Sequence, residues 1–81
     1  MLEIIEAFAA VAITSSPMLE VEPDRVNPTG GVIAVGHPIR AFGPRILGGL
    51  TLELRRRGGG IGEATICSGL AQGEATLVEV A

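Results

Sequence analysis

Eighty-one residues allow one small domain and no more. Six basic and nine acidic side chains leave a net charge of -3, and aromatics make up only 2%, which argues against a nucleic-acid surface built on base stacking. A hydrophobic content of 47% argues against wholesale disorder; no apolar run approaches the length of a membrane span, and no charged n-region precedes an apolar core.

Phe8 and Phe42 are the only aromatic residues, so a core must be built from Ile, Leu, Val and Ala. Twelve glycines add unfolded-state entropy that such a small core has to overcome. The composition therefore predicts a marginal monomer, or one stabilised by association, a homo-oligomer included. One cysteine, Cys67, excludes an internal disulfide and suits a reducing compartment, so the cytoplasm is the expected location.

Leu2 to Ile5 is short, apolar and β-branched at its end, as a buried strand is. It runs into AFAAVAIT, an alanine-rich stretch that predicts a helix ending at Ser15-Ser16-Pro17. Pro17 to Arg25 is polar and holds two prolines, which predicts a surface connection. The run Gly31 to Val35 is strand-like by composition alone.

His37, the only histidine, stands between Gly36 and Pro38 in a stretch that also holds Gly30, Gly31 and Gly43. Proline fixes its own φ and turns the preceding residue away from helical geometry, so the imidazole projects from a bend. A neutral imidazole there can take and return a proton near neutral pH. Spacing alone equally supports a glycine-rich turn whose histidine only caps or packs.

Gly43-Pro44 predicts a helix start, with Pro44 at the first helical position. Phe42, Ile46, Leu50 and Leu54 recur at a spacing of four with Leu47 beside them, giving one apolar face. Gly48 and Gly49 each cost about 1 kcal/mol against alanine in a helix interior, which predicts close approach of another element. Arg55 to Arg57 complement the negative helix end and Gly58 begins the stop, so this basic run reads as a terminus rather than a binding patch. Gly62 to Ser68 and Glu74 to Val80 predict two antiparallel strands joined by a turn over Gly69 to Gly73. Thr76, Val78 and Val80 alternate with Ala75, Leu77 and Glu79, as in a half-covered strand.

NPTGGVIAVGHPIRAFGPR, from Asn27 to Arg45, resembles the Asn-x-x-Gly-Gly-x-x-x-x-Gly-His-Pro-x-Gly-x-x-Gly-x-Arg segment of thiolases, the acetyl-CoA acetyltransferase family. EAF at Glu6 to Phe8 resembles the family's Asn-Glu-Ala-Phe motif, and CSGLAQG at Cys67 to Gly73 resembles its Cys-x-Gly-Gly-Gly-x-Gly motif. The three lie in the family's order and correspond to the last portion of such an enzyme. The resemblance implies an α/β fold for residues 1-81: a partial C-terminal domain with a small, incomplete sheet and one central apolar helix. It also implies a short helical turn ahead of Gly36-His37-Pro38, and a central helix whose apolar surface is exposed when its neighbours are missing.

The same resemblance implies chemistry on coenzyme A thioesters as substrates, with no resident cofactor and no metal. His37 is then the base, Cys67 the thiol that exchanges a proton at carbon, and Gly69 the backbone donor to an oxyanion. A thiol can shuttle protons when its thiolate is stabilised nearby; a lone buried cysteine is otherwise an inert small hydrophobe. Several positions depart from the pattern. Ile5 replaces an asparagine that helps hold a water, and isoleucine can neither donate nor accept a hydrogen bond. Arg40 places a bulky cation near His37 where the family has glycine, Phe42 replaces a small residue, and Leu70 and Ala71 replace two glycines. With Cys67 the only cysteine, no nucleophile is present for an acyl-enzyme step.

Three functions are expected on these grounds. The first is a thiolase-type C-terminal fragment, inactive alone: a truncated gene product, or one half of a split enzyme whose partner is the N-terminal half. The second is a module that docks on thiolase-type subunits or dimerises through uncovered edges. The third is a coenzyme A-binding regulator without chemistry.

Overall fold

The computed structural model describes all residues from Met1 to Ala81. Its elements run β1 (Leu2–Ile4), α1 (Ala9–Met18), a single 3-10 turn (Pro23–Arg25), α2 (Val32–Val35), α3 (Phe42–Arg56), β2 (Gly60–Ser68) and β3 (Gln72–Val80). The three strands form one sheet in the order β1-β2-β3. β1 pairs parallel to β2, with Leu2 opposite Glu63 and Ile4 opposite Thr65. β2 pairs antiparallel to β3 along its whole length, from Gly60 opposite Val80 to Ser68 opposite Gln72. This is the small, incomplete α/β sheet with one central apolar helix that the sequence predicts.

α3 supplies the core because its spacing of four puts Phe42, Ile46, Leu50 and Leu54 on one stripe, and all are buried, Leu50 completely. That stripe packs with Ile5, Val32 and Ala64, and Ile66, Val78 and Val80 close the edge of the cluster. Register explains the set: Glu3 opposes Ala64, so Glu3 and the alternating residues of β2 share the face beneath α3. Gly62 lies so close under the helix that an added Cβ would stand 2.6 Å from Leu50 Cδ1. β3 is half covered, with Val78 and Val80 inward and Leu77 72% exposed.

Four expectations are corrected. α1 does not end within Ser15-Ser16-Pro17 but runs one residue past it to Met18. Proline removes one intrahelical bond there, and the helix needs only one further residue, whose neighbour Leu19 donates to the Ser15 carbonyl at 3.0 Å. Pro44 is the third residue of α3 rather than the first; its missing N–H still falls among those without an intrahelical acceptor. Leu47 is 37% exposed and lies off the buried stripe. Gly48 and Gly49 approach nothing, since an added Cβ at either would meet no atom within 4 Å. The exposed Leu52 leaves apolar surface on the outer side of α3. No helix is long and apolar enough to cross a membrane.

Two carboxylates flank the core with opposite fates. Glu3 is 4% exposed on the α3 side of β1, and its Oε1 has no hydrogen-bond partner. Burial raises its pKa to about 7, against the pull of Arg45 and with the help of the negative charges of Glu6 and Glu53. Glu53 instead accepts from Arg56 Nε and Nη2 and from Arg57 Nε, each at 2.7 Å. Those bonds hold its carboxyl down at about 2. Arg56 and Arg57 thus close the C-terminal end of α3 on a single acid, and Gly58 at φ +92 ends the helix.

Candidate active site

The route to His37 begins at the N-terminus of α2. Glu6, two residues past β1, accepts the Ile33 N–H on Oε2 at 3.0 Å, which satisfies one of the orphan donors of that short helix. Gly36 then donates to the Val32 carbonyl at 2.7 Å and turns with φ 86 and ψ 172. Those angles are essentially open to glycine alone. The sharp turn delivers His37. Pro38 then sets the next bend, its carbonyl accepting the Ala41 N–H at 2.9 Å. The imidazole lies against the Phe42 ring, with centroids 4.7 Å apart and planes inclined by 46°. Phe42 is itself buried in the core, so the histidine leans on a fixed surface.

Cys67 arrives from the other side, near the end of β2 and opposite Gly73. β1 ends at Ile4 and Ile5 makes its final bond to the Thr65 carbonyl at 2.9 Å, so the sheet gapes beside Cys67. The thiol is free and exposed. Cys67 borders two open cavities. One, about 330 Å³, lies towards α1 and includes Val11, Ser15 and Thr65. The other, about 460 Å³, is lined by His37, Cys67, Ser68 and Gly69 together with Ile5 and Phe42. All three residues singled out from the sequence therefore border this second cavity. Ile5 forms an apolar wall to it and is buried at 8% exposure, so its side chain offers no hydrogen bond where a polar residue could have served.

The turn that carries Gly69 is strained. Leu70 and Ala71 both take φ 60, in the left-handed region that glycine enters freely and other residues enter at a cost. Arg40 is exposed in the loop between α2 and α3 and does not line the cavity. No group of three or more His, Cys, Asp or Glu side chains converges to hold a metal ion.

One part of the site went unassigned in the sequence. Asn27 takes φ 46 and lays its side chain along β1, Oδ1 accepting the Ile4 N–H at 2.7 Å and Nδ2 donating to the Ile4 carbonyl at 3.1 Å. Nδ2 also donates to Glu6 Oε1 at 3.1 Å. The available signal was the presence of both residues in motifs around His37, but no periodicity connects them.

Comparison with known proteins identifies the family. Residues 1–80 match the family described as Thiolase, C-terminal domain. The chain is 50% identical over 76 residues to a protein named probable acetyl-CoA acetyltransferase from Mycobacterium leprae, covering 94% of this chain and 19% of that one. It is 48% identical over 79 residues to a probable acetyl-CoA acetyltransferase from Escherichia coli, covering 98% of this chain and 20% of the relative. A mitochondrial 3-ketoacyl-CoA thiolase from Bos taurus is 40% identical over 79 residues, again 98% of this chain and 20% of the relative. The chain thus spans about a fifth of the length of these relatives. By its sequence, the chain belongs to the thiolase family and matches that family's C-terminal domain over residues 1–80.

Proposed function

We propose that this chain carries the acid–base half of a thiolase-type acyl transfer on coenzyme A thioesters. In this reading His37 takes the proton from an attacking thiol and Cys67 exchanges a proton with the carbon next to the thioester carbonyl. The Gly69 N–H donates to the oxygen on which negative charge develops. The nucleophile that would hold the acyl group belongs to another segment or chain, because Cys67 is the only cysteine. The observation that carries the reading is the single cavity bordered by His37, Cys67 and Gly69. The names of the relatives support the substrate class.

The test is thiolysis of acetoacetyl-CoA by coenzyme A, with the purified chain alone and with the front portion of a relative expressed separately. The chain alone should be silent and the mixture should turn over, with His37→Ala or Cys67→Ala abolishing the gain. Turnover by the chain alone, or silence of a folded mixture, contradicts the proposal. A docking module without chemistry is the second reading. It is favoured by the exposed Phe8, Ile33, Val35 and Ile39 around the α1 and α2 end of the molecule. Light scattering that finds a clean monomer, with no binding to thiolase-type subunits, removes it.

A further inference from the structure

The carboxylate of Glu6 joins three parts of the chain that are distant in sequence. Oε1 accepts from Asn27 Nδ2 at 3.1 Å and Oε2 accepts from the Ile33 backbone at 3.0 Å. Asn27 is in turn pinned to β1, through both polar groups of Ile4 and through its own N–H to the Leu2 carbonyl at 2.9 Å. The carboxylate rests over Gly31, where an added Cβ would collide with it. From Ile33 to His37 there is one helical turn and the Gly36 bend. A continuous set of bonds therefore runs from the sheet, through Glu6 and α2, to the backbone that presents the imidazole.

We propose that Glu6 is a positioning residue for His37, fixing where the imidazole stands on the cavity that it shares with Cys67. The inference rests on the acid–base reading of His37 and Cys67. Two separate donors, one from a side chain and one from the backbone, have to be accepted at once, and a carboxylate offers two acceptor oxygens in a fixed fork. Glutamine offers one oxygen and one NH2, so one of the two donors would face another donor. Asn27 cannot relieve this by turning its amide over, because its present orientation is fixed by the two bonds to Ile4. Gly31 is the complementary requirement, since the carboxylate occupies the volume of its missing side chain.

The experiment uses the isotope-labelled 81-residue chain and reads the ring-proton shifts of His37, which the adjacent Phe42 ring displaces from their free values. Glu6→Ala should remove most of that displacement, while the methyl signals of Leu50 and Leu54 stay in place. Glu6→Gln should restore it only in part. Gly31→Ala, which expels the carboxylate without changing its charge, should reproduce the Glu6→Ala spectrum and serves if the latter does not fold. Unchanged His37 shifts in any folded Glu6→Ala or Gly31→Ala chain overturn the proposal. The outcome is separable from that of the thiolysis assay. A displaced His37 in a chain that never supports turnover upholds the positioning role and sinks the acyl-transfer reading.

Discussion

The ring of His37 rests on that of Phe42, which is 6% exposed and belongs to the same buried stripe as Ile46 and Leu50. The loop that carries His37 thereby rests on a side chain of the core. Phe42→Ala should cost about 3–5 kcal/mol, the usual range for truncating a buried aromatic, and should release the imidazole. Chemical denaturation gives the first quantity and the line shapes of the His37 ring protons give the second.

The hairpin beside Cys67 should be improvable. Leu70 and Ala71 sit at φ 60, where glycine avoids a penalty of roughly 1–2 kcal/mol but adds unfolded-state entropy of about 0.4–1 kcal/mol. Leu70→Gly and Ala71→Gly should each stabilise the chain by up to about 1.6 kcal/mol, measured as a rise in urea midpoint at constant slope. Leu70 is 98% exposed, so its replacement forfeits no packing.

Glycines within and against α3 should respond in opposite senses. Gly62→Ala drives a methyl onto Leu50 and Leu54, with contacts of 2.6 and 3.0 Å, and should destabilise by about 1–3 kcal/mol. Gly48→Ala meets nothing and should stabilise the isolated chain by up to about 1 kcal/mol through helix propensity. Thermal melts of the two variants check the pair of signs.

These glycines also show how far the sequence could be read. The stripe of α3 was legible because four apolar residues at helical spacing specify a face whatever they pack on. The hairpin was legible from alternation. α2 was not legible from composition, since GVIAV suits a strand equally well; only the resemblance to the thiolase segment predicted a helical turn. Gly48 and Gly49 implied a close neighbour that this chain does not supply. The Glu6–Asn27 contact spans 21 positions and leaves no periodic trace, so its role emerged only when the fold brought the two motifs together. His37, Cys67 and Gly69 were named from motifs, but their common cavity depends on β1 ending at Ile4.

Stability should peak in mild acid. Glu3 holds a proton in the folded chain up to about pH 7, against an ordinary value of 4.5, so its contribution is complete below 4.5 and is lost as pH rises through 7. The full difference is on the order of 3 kcal/mol. Glu53, held at about 2, contributes above 4.5 and loses that contribution as pH falls towards 2. Denaturation midpoints should therefore be highest near pH 4.5, and Glu3→Gln should flatten the decline on the alkaline side without altering the acid side. A midpoint that rises steadily from pH 4.5 to 7 contradicts the buried state of Glu3.

Folding brings His37 and Cys67 to one cavity, and the lone cysteine permits a direct measurement of that juxtaposition. A nitroxide attached to Cys67 should broaden the His37 ring resonances strongly. It should leave the amide of Gly60, about 23 Å away along the extended strand, nearly sharp. His37 signals as sharp as those of Gly60 would contradict a shared cavity and, with it, the acid–base pairing of the two residues.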